Sequence, residues 1–241
     1  MRIRSGFSLV ELSIVLVILG LLTGGILSGQ SLIRAAELRR VSTDSDRYKA
    51  ATYSFLDQHR GLPGDLKNAA SFWSSAVNGD GNGQIYMANN GANAANESFQ
   101  FWHQLAAAGL IEGNYTGISG SIGYADCTIG VNCPDAKIDS AGWAVRYRDT
   151  VDSEESGWYT GTPAGNMFFV GPRSVAGSPQ MRLFIPQETW ALDMKLDDGR
   201  PAFGKFITHW QGCTDAVDGT DVDSEYALNS TSKCRLRIFF D

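Results

Sequence analysis

An uninterrupted apolar segment occupies residues 7–27, and Glu11 is its single charged residue. As an α-helix this segment would be about 31 Å long, close to the hydrocarbon thickness of a bilayer. Residues 1–6 before it are few and include two arginines, which favours a cytoplasmic N-terminus. No A-x-A-type cleavage site follows the segment, so an ordinary secretory signal peptide fits poorly. The pattern therefore predicts a membrane-spanning helix over residues 7–27.

Helix-compatible residues continue after this segment as far as Pro63, the first proline in the chain. Val41, Tyr48 and Phe55 recur every seven residues, a spacing that places apolar side chains on one face of a helix. We therefore expect residues 28–60 to continue the first helix as an amphipathic helix. Together the two parts would form a helix about 80 Å long.

Residues 61–241 show the short patterned segments and frequent turn residues of a globular domain. Helical spacing predicts short helices at residues 65–77, 97–108 and 187–195. Runs of β-branched and aromatic residues between Gly, Asn and Asp turns predict strands at residues 143–148, 167–170, 182–185, 205–210 and 234–240. Such strands favour an antiparallel sheet, and the long helix is a natural cover for one of its faces. The predicted fold class is therefore α+β.

The apolar segment begins within the sequence Gly6-Phe7-Ser8-Leu9-Val10-Glu11, which resembles the prepilin peptidase site of type IV pilins and type II secretion pseudopilins. The resemblance implies cleavage between Gly6 and Phe7 and N-methylation of Phe7. It also implies that Glu11 neutralises the α-amino group of an adjoining subunit during assembly. This role has a physical basis, because a buried carboxylate or ammonium costs several kcal/mol alone and far less as a pair.

The same resemblance implies a domain order of leader (1–6), transmembrane and filament-core helix (7–27), amphipathic continuation (28–60) and pilin head (61–241). It implies a precursor in the bacterial inner membrane with a cytoplasmic N-terminus, and afterwards an extracellular or periplasmic filament. The expected partners are prepilin peptidase, the pilus or secretion assembly machinery, and further copies of the chain. The implied function is a structural subunit of a type IV pilus-like filament. The alternative is a minor or tip subunit whose enlarged head binds a surface, DNA or secreted cargo.

The segment Asn78-Gly79-Asp80-Gly81-Asn82-Gly83-Gln84-Ile85 matches the first eight positions of an EF-hand calcium loop. Alternate oxygen donors around a sharp glycine turn can wrap a hard cation without strain. Asn89 stands where an EF-hand has its bidentate glutamate, so another acidic residue would have to complete the site. The expected Ca²⁺ ligands are the side chains of Asn78, Asp80 and Asn82, the carbonyl of Gln84, and Glu97 at the start of the next predicted helix. The alternative is an Asn/Gly-rich turn that binds no ion.

Residues 193–204 read DMKLDDGRPAFG and resemble a D-x-K-x-D-D-G-x-P-x-x-G stretch found near the end of many pilin-like proteins. For this stretch we expect a tight turn in which acidic side chains accept backbone hydrogen bonds and glycines adopt positive φ. A metal site is the alternative.

The four cysteines lie outside the apolar segment, and an even number in a translocated domain indicates two disulfides. Three pairings are open. Cys127 and Cys133 enclose only five residues, so a small local loop is feasible. A bond between Cys213 and Cys234 would enclose an acidic stretch with little apolar surface, and it resembles the C-terminal disulfide-bounded region of many type IV pilins. We therefore expect the pairs Cys127–Cys133 and Cys213–Cys234.

Charge and motif content narrow the class of function. Residues 61–241 contain 12 Lys and Arg against 21 Asp and Glu. Such an acidic body argues against nucleic-acid binding, which needs a basic face. The three histidines are scattered, and the sequence has no nucleophile elbow, phosphate-binding glycine loop, dinucleotide fingerprint or C-x-x-C pair. We therefore expect a protein that is not an enzyme, with Ca²⁺ as its one candidate cofactor.

Overall fold

The computed structural model of the chain describes residues 8–87, 91–149, 159, 163–174, 177–209 and 211–240. The chain divides into two compact units, of which the first ends at Arg39 and the second begins at Arg40. In chain order the helices and strands are α1 Leu9–His59, α2 Ala69–Phe72, α3 Glu97–Ala107, β1 Ala141–Arg148, β2 Gly165–Pro172, α4 Pro186–Leu196, β3 Phe206–Thr208 and β4 Leu236–Phe239.

The first unit contains the apolar part of α1. An 18-residue window of this helix has a mean hydropathy of 2.4, and none of the window is buried within the chain. Leu9, Leu21 and Leu32 are 86%, 73% and 71% exposed. By length and composition, α1 is able to cross a membrane.

The remainder of α1 packs into the core of the second unit. Val41, Tyr48 and Phe55, the apolar stripe expected from their spacing, are all at most 2% exposed. The ring of Tyr48 meets the rings of Trp102 in α3 and Trp143 in β1 at centroid distances of 4.9 and 5.4 Å. The helix therefore covers one face of the sheet, as predicted.

The four strands form one antiparallel sheet in the order β1-β2-β4-β3. Phe168 lies on the face covered by α1 and α3, where its ring contacts those of Tyr48 and Phe101. Side chains alternate between faces along a strand, and the neighbouring Met167 and Phe169 belong to a separate apolar cluster with Tyr159. A sheet buried on both faces, with helices on one of them, confirms the α+β class.

The predicted helix at residues 65–77 is wrong in its extent, because only α2 is helical there. The carbonyl of Leu66 accepts hydrogen bonds from Ala69 and from Gly79, and the backbone N–H of Ala70 donates to the Asn78 side chain. Hydrogen bonds with the loop after residue 77 therefore take the place of the backbone hydrogen bonds that a longer helix would form.

The predicted strand at residues 182–185 is also wrong, since this segment forms only an isolated bridge between Phe184 and Cys234. Both edges of β4 are paired, one with β2 and the other with β3. The segment therefore pairs with Cys234, which lies just before β4, and not with β4 itself. The remaining predicted elements occur with shifted ends: residues 97–108 as α3, 143–148 as β1, 167–170 as β2, 187–195 as α4, 205–210 as β3 and 234–240 as β4.

Candidate functional site

The N-terminal end of α1 carries the residues that the prepilin resemblance singles out. Gly6 and Phe7 lie outside the described residues. The backbone N–H of Ser8 donates to Glu11 Oε2 at 2.8 Å, and the N–H of Val10 donates to Ser8 Oγ at 3.3 Å. These two bonds cap the start of α1, because each satisfies a backbone donor near the beginning of the helix. The Glu11 carboxylate is therefore turned toward the N-terminal end of α1.

A second group of functional side chains lies in the second unit. Carboxylate oxygens of Asp65, Asp80 and Glu97 all lie within 4.8 Å of one another. The three residues come from separate segments: the connection after α1, the Asn/Gly-rich loop and the first turn of α3. A cavity of about 230 Å³ lies beside this group, with Asp80 and Glu97 in its wall. Three convergent carboxylates offer the hard oxygen ligands that calcium prefers.

Backbone N–H groups hold two of these carboxylates in place. Asp65 accepts from Gly81 at 2.5 Å and from Gly83 at 2.7 Å. Glu97 accepts from Asp80 at 3.3 Å and from Tyr86 at 2.8 Å. The loop is thus wrapped around Asp65 and fastened to the start of α3.

The same surroundings disfavour negative charge on two of the carboxyls. Burial raises the pKa of Asp65; hydrogen bonds from the loop backbone offset part of this effect, and the neighbouring Asp80 carboxylate adds to it. Burial is also the largest cause of the raised pKa of Glu97, and the negative charges of Asp65 and Asp80 contribute further. A bound cation would relieve both the burial cost and the mutual repulsion.

The other expected calcium ligands make local hydrogen bonds. The side-chain oxygen of Asn78 accepts from the N–H of Ala70 at 2.9 Å, and that of Asn82 accepts from the N–H of Gln84 at 2.7 Å. Asn89, the departure from the EF-hand pattern, lies outside the described residues. The loop thus supplies Asp80, while Asp65 and Glu97 reach it from elsewhere in the chain.

Asn166 in β2 holds the other end of this loop. Its side-chain oxygen accepts from the N–H of Ile85 at 2.8 Å, and its side-chain amide donates to the carbonyl of Gly83 at 2.9 Å. The N–H of Tyr147 in β1 donates to the carbonyl of Ile85 at 2.6 Å. These bonds couple the acidic group to the sheet.

Sequence reasoning missed Asp65 as a member of this group. Asp65 was expected to begin a helix. Asp80 lies 15 positions further along the sequence, which is too far for a local spacing rule to relate the two residues. The signal that remains is chemical: an aspartate shortly before a glycine-rich loop whose backbone N–H groups need acceptors.

The turn after α4 has the character expected from the sequence. Asp197 accepts from the backbone N–H groups of Lys205 and Phe206, and Asp198 accepts from that of Arg200 at 2.8 Å. Gly199 and Gly204 have φ of 77° and 76°. Positive φ is the conformation that glycine adopts without steric cost. The segment therefore contains a hydrogen-bonded tight turn, and carboxylate oxygens of Asp193, Asp197 and Asp198 also lie within 4.8 Å of one another.

Asp193, in the last part of α4, is fully buried. Its carboxylate accepts from the Tyr226 hydroxyl at 2.7 Å and from the Gly199 N–H at 3.2 Å. Burial is the main reason that the pKa of Asp193 is raised to about 7. This carboxyl connects α4 with the region between the second pair of cysteines.

Both expected disulfides are present. Cys127 is bonded to Cys133 and Cys213 to Cys234, with Cα–Cα distances of 5.6 and 5.1 Å. We call residues 213–234 the disulfide-bounded loop. Within it, Thr214 pairs with Tyr226 in an isolated antiparallel bridge.

Comparison with known proteins identifies the N-terminal segment. Residues 1–27 match the family model described as the prokaryotic N-terminal methylation motif. This motif is the prepilin signature of type IV pilins and pseudopilins. Neither curated proteins nor solved structures give a match to the chain.

The chain thus carries a prepilin signature followed by a long helix and an α+β body. The motif implies processing by prepilin peptidase and handling by pilus assembly machinery, and it indicates a structural protein. The signature and the apolar part of α1 fit a precursor in the inner membrane.

Proposed function

We propose that the chain, after cleavage between Gly6 and Phe7, polymerises as a structural subunit of a type IV pilus-like filament. The observation that carries this proposal is the apolar part of α1 in the first unit. Its large side chains are at least half exposed from Leu9 to Ile33. Because exposed apolar surface on this scale is unfavourable in water, the segment requires lipid or other chains around it.

The core of the second unit closes around the later part of α1, where Val41, Tyr48 and Phe55 are buried. One helix therefore has two roles: its later part completes a folded unit, and its earlier part is available to pack in the membrane and then in a filament.

Glu11 is suited to a pairing role in assembly. One of its oxygens accepts from Ser8 N, and a carboxylate has further acceptor positions. In an apolar filament core, the free α-amino group of a neighbouring Phe7 would be costly unless a negative charge lay beside it. Glu11 supplies that charge.

The test is the filament yield of the Glu11→Ala variant expressed in a pilated host. We expect this variant to be cleaved and membrane-inserted but absent from sheared filaments. Glu37→Ala is the matched control on the same helix, since Glu37 lies beyond the apolar segment and forms an ion pair with Arg34, three residues away, at 3.1 Å. Normal filament yield of the Glu11→Ala variant would refute the proposal. The share of this chain among sheared filament proteins would separate a major subunit from a minor or tip subunit.

We further propose that Asp65, Asp80 and Glu97 bind Ca²⁺. The convergence of three carboxylates at the loop whose sequence resembles an EF-hand supports this proposal. Burial and neighbouring negative charge raise the pKa of Asp65 and of Glu97, and a bound cation would offset both effects. The ion would join the connection after α1, the loop and α3.

The calcium proposal is tested by thermal unfolding of the full chain in detergent micelles. Calcium should raise the melting temperature, because a ligand that binds only the folded state stabilises it. Asp80→Ala should abolish the increase, while Asp57→Ala, a change at a residue whose side chain is 83% exposed on α1, should keep it. Identical melting curves in calcium and in chelator would show that the loop binds no ion.

A further inference from the structure

A cavity of about 450 Å³ lies between α4, the tight turn that follows it and the disulfide-bounded loop. Trp190 contributes from α4, Arg200 from the turn, and Asp223 and Glu225 from the disulfide-bounded loop. Protein cavities of this size hold small molecules. The residues that line this cavity do not belong to the cluster of Asp65, Asp80 and Glu97 or to the apolar part of α1.

The walls of this cavity are fixed by the fold. The Tyr226 hydroxyl bonds to the buried Asp193 at 2.7 Å, which holds the disulfide-bounded loop against α4. The Cys213–Cys234 bond closes the base of the same loop. Gly199 permits the turn to approach α4, because a Cβ there would lie 2.3 Å from Met194 Sδ. These contacts therefore hold the backbone around the cavity in place, while the side chains of Arg200 and Asp223 are 56% and 88% exposed.

Trp190 supplies an accessible aromatic surface. It is 42% exposed, and a Cβ at Gly199 would lie 3.6 Å from its Nε1, which places the indole beside the tight turn. An indole combines a large apolar face with one hydrogen-bond donor. Such a surface suits a ring that is apolar on its face and polar at its edge.

The charged groups of the cavity favour a polar ligand over an anion or an apolar molecule. Arg200 forms an ion pair with Asp223 at 3.6 Å and lies 4.0 Å from the centroid of the Phe203 ring. The disulfide-bounded loop has five acidic residues and one lysine, so an anion would be repelled. Arg200 is paired with one of the carboxylates, so that the cavity offers donors and acceptors side by side, and the polar lining does not suit an apolar ligand. A neutral molecule with many hydroxyl groups can use guanidinium donors and carboxylate acceptors together.

We propose that this cavity binds a carbohydrate, with a pyranose ring against Trp190 and its hydroxyls on Arg200, Asp223 and Glu225. The site lies within one chain and goes beyond the proposed role in filaments. Its test on unassembled protein is therefore independent of polymerisation.

The experiment uses full-length protein labelled with 5-fluorotryptophan, in a zwitterionic detergent that has no sugar headgroup. The probes are the methyl glycosides of glucose, galactose, mannose and N-acetylglucosamine, added to millimolar concentrations while the fluorine spectrum is recorded. The chain has six tryptophans, and the Trp190→Phe variant identifies the Trp190 resonance by its loss. We expect a saturable shift of that resonance with at least one glycoside.

Two variants check that the shift reports this cavity. Arg200→Met should remove the saturable shift, and Trp73→Phe, a change at a partly exposed tryptophan near the end of α1, should leave it intact. The proposal is overturned if no glycoside shifts the Trp190 resonance in a folded sample. It is equally overturned if only free arginine or inorganic sulfate does so.

Discussion

Replacement of Asp193 by asparagine should change how the stability of the second unit depends on pH. Asp193 is fully buried in α4, where its carboxylate accepts from the Tyr226 hydroxyl and the Gly199 N–H. Burial raises its pKa from the ordinary value of 3.8 to about 7. Asparagine has nearly the same shape. Its oxygen can accept from Gly199 and its amide can donate to the Tyr226 oxygen, so that the packing is kept and the titration is lost.

The direction of the pH dependence follows from how many protons the folded and the unfolded chain bind. Between pH 3.8 and about 7 the folded chain keeps a proton on Asp193, whereas the unfolded chain has lost it. The free energy of unfolding therefore falls as the pH rises through this interval, and it is constant with respect to this group above it. The difference between the two pKa values corresponds to about 4 kcal/mol. Asp193→Asn should accordingly gain up to about 4 kcal/mol relative to the natural chain as the pH rises from below 3.8 to above about 7.

The assay is urea unfolding of the full chain in micelles at a series of pH values, for the natural chain and for the Asp193→Asn variant. The informative quantity is the difference in unfolding free energy between the two proteins, because contributions from other titrating groups cancel in it. Asp57→Asn, which removes a carboxylate at an exposed position of α1, serves as the control for a charge change outside the core. If the Asp193→Asn difference is constant with pH, the buried carboxyl is not the source of the pH dependence, and the reasoning is wrong.

Three further outcomes are expected. Mass spectrometry of the mature protein should find an N-terminus at methylated Phe7, and an intact Met1 in membrane extracts would contradict this. Cys213→Ser should destabilise the chain more than Cys127→Ser in chemical unfolding, since the chain-entropy model gives about 3 kcal/mol for the longer loop and about 2 kcal/mol for the shorter one; the reverse order would be inconsistent with that model. Asp65→Asn should lower the melting temperature even in chelator, because its carboxylate accepts backbone N–H groups without any ion; an effect seen only with calcium would assign it to metal binding alone.

Elements that depend on local pattern were predictable from the sequence. The seven-residue spacing of Val41, Tyr48 and Phe55 indicated the buried face of α1, because a helix places such positions together whatever packs against them. Four of the five predicted strands occur, with ends that differ by a few residues. The fifth, at residues 182–185, failed because sheet pairing depends on which edges are already taken.

Contacts between distant residues were beyond the reach of spacing rules. Asp65 was expected to begin a helix. In the structure its carboxylate instead accepts hydrogen bonds from the backbone of the loop that contains Asp80. The bond between Asp193 and Tyr226 joins residues that are 33 positions apart. In both cases the sequence shows a polar residue near an apolar pattern, and only the fold determines which backbone or side-chain donor it meets.

The hydrogen bonds of Ser8 and Glu11 at the start of α1 bear on how Glu11 would act in assembly. A helix start concentrates unpaired N–H groups and positive partial charge, and cleavage before Phe7 would add a charged amino group at the same end. Glu11 both accepts from Ser8 and carries the single negative charge in the apolar segment. Glutamine at this position would keep an oxygen for Ser8 but lose the charge. If charge pairing drives assembly, Glu11→Gln should fail to form filaments as Glu11→Ala does; if capping of α1 is what matters, Glu11→Gln should assemble normally.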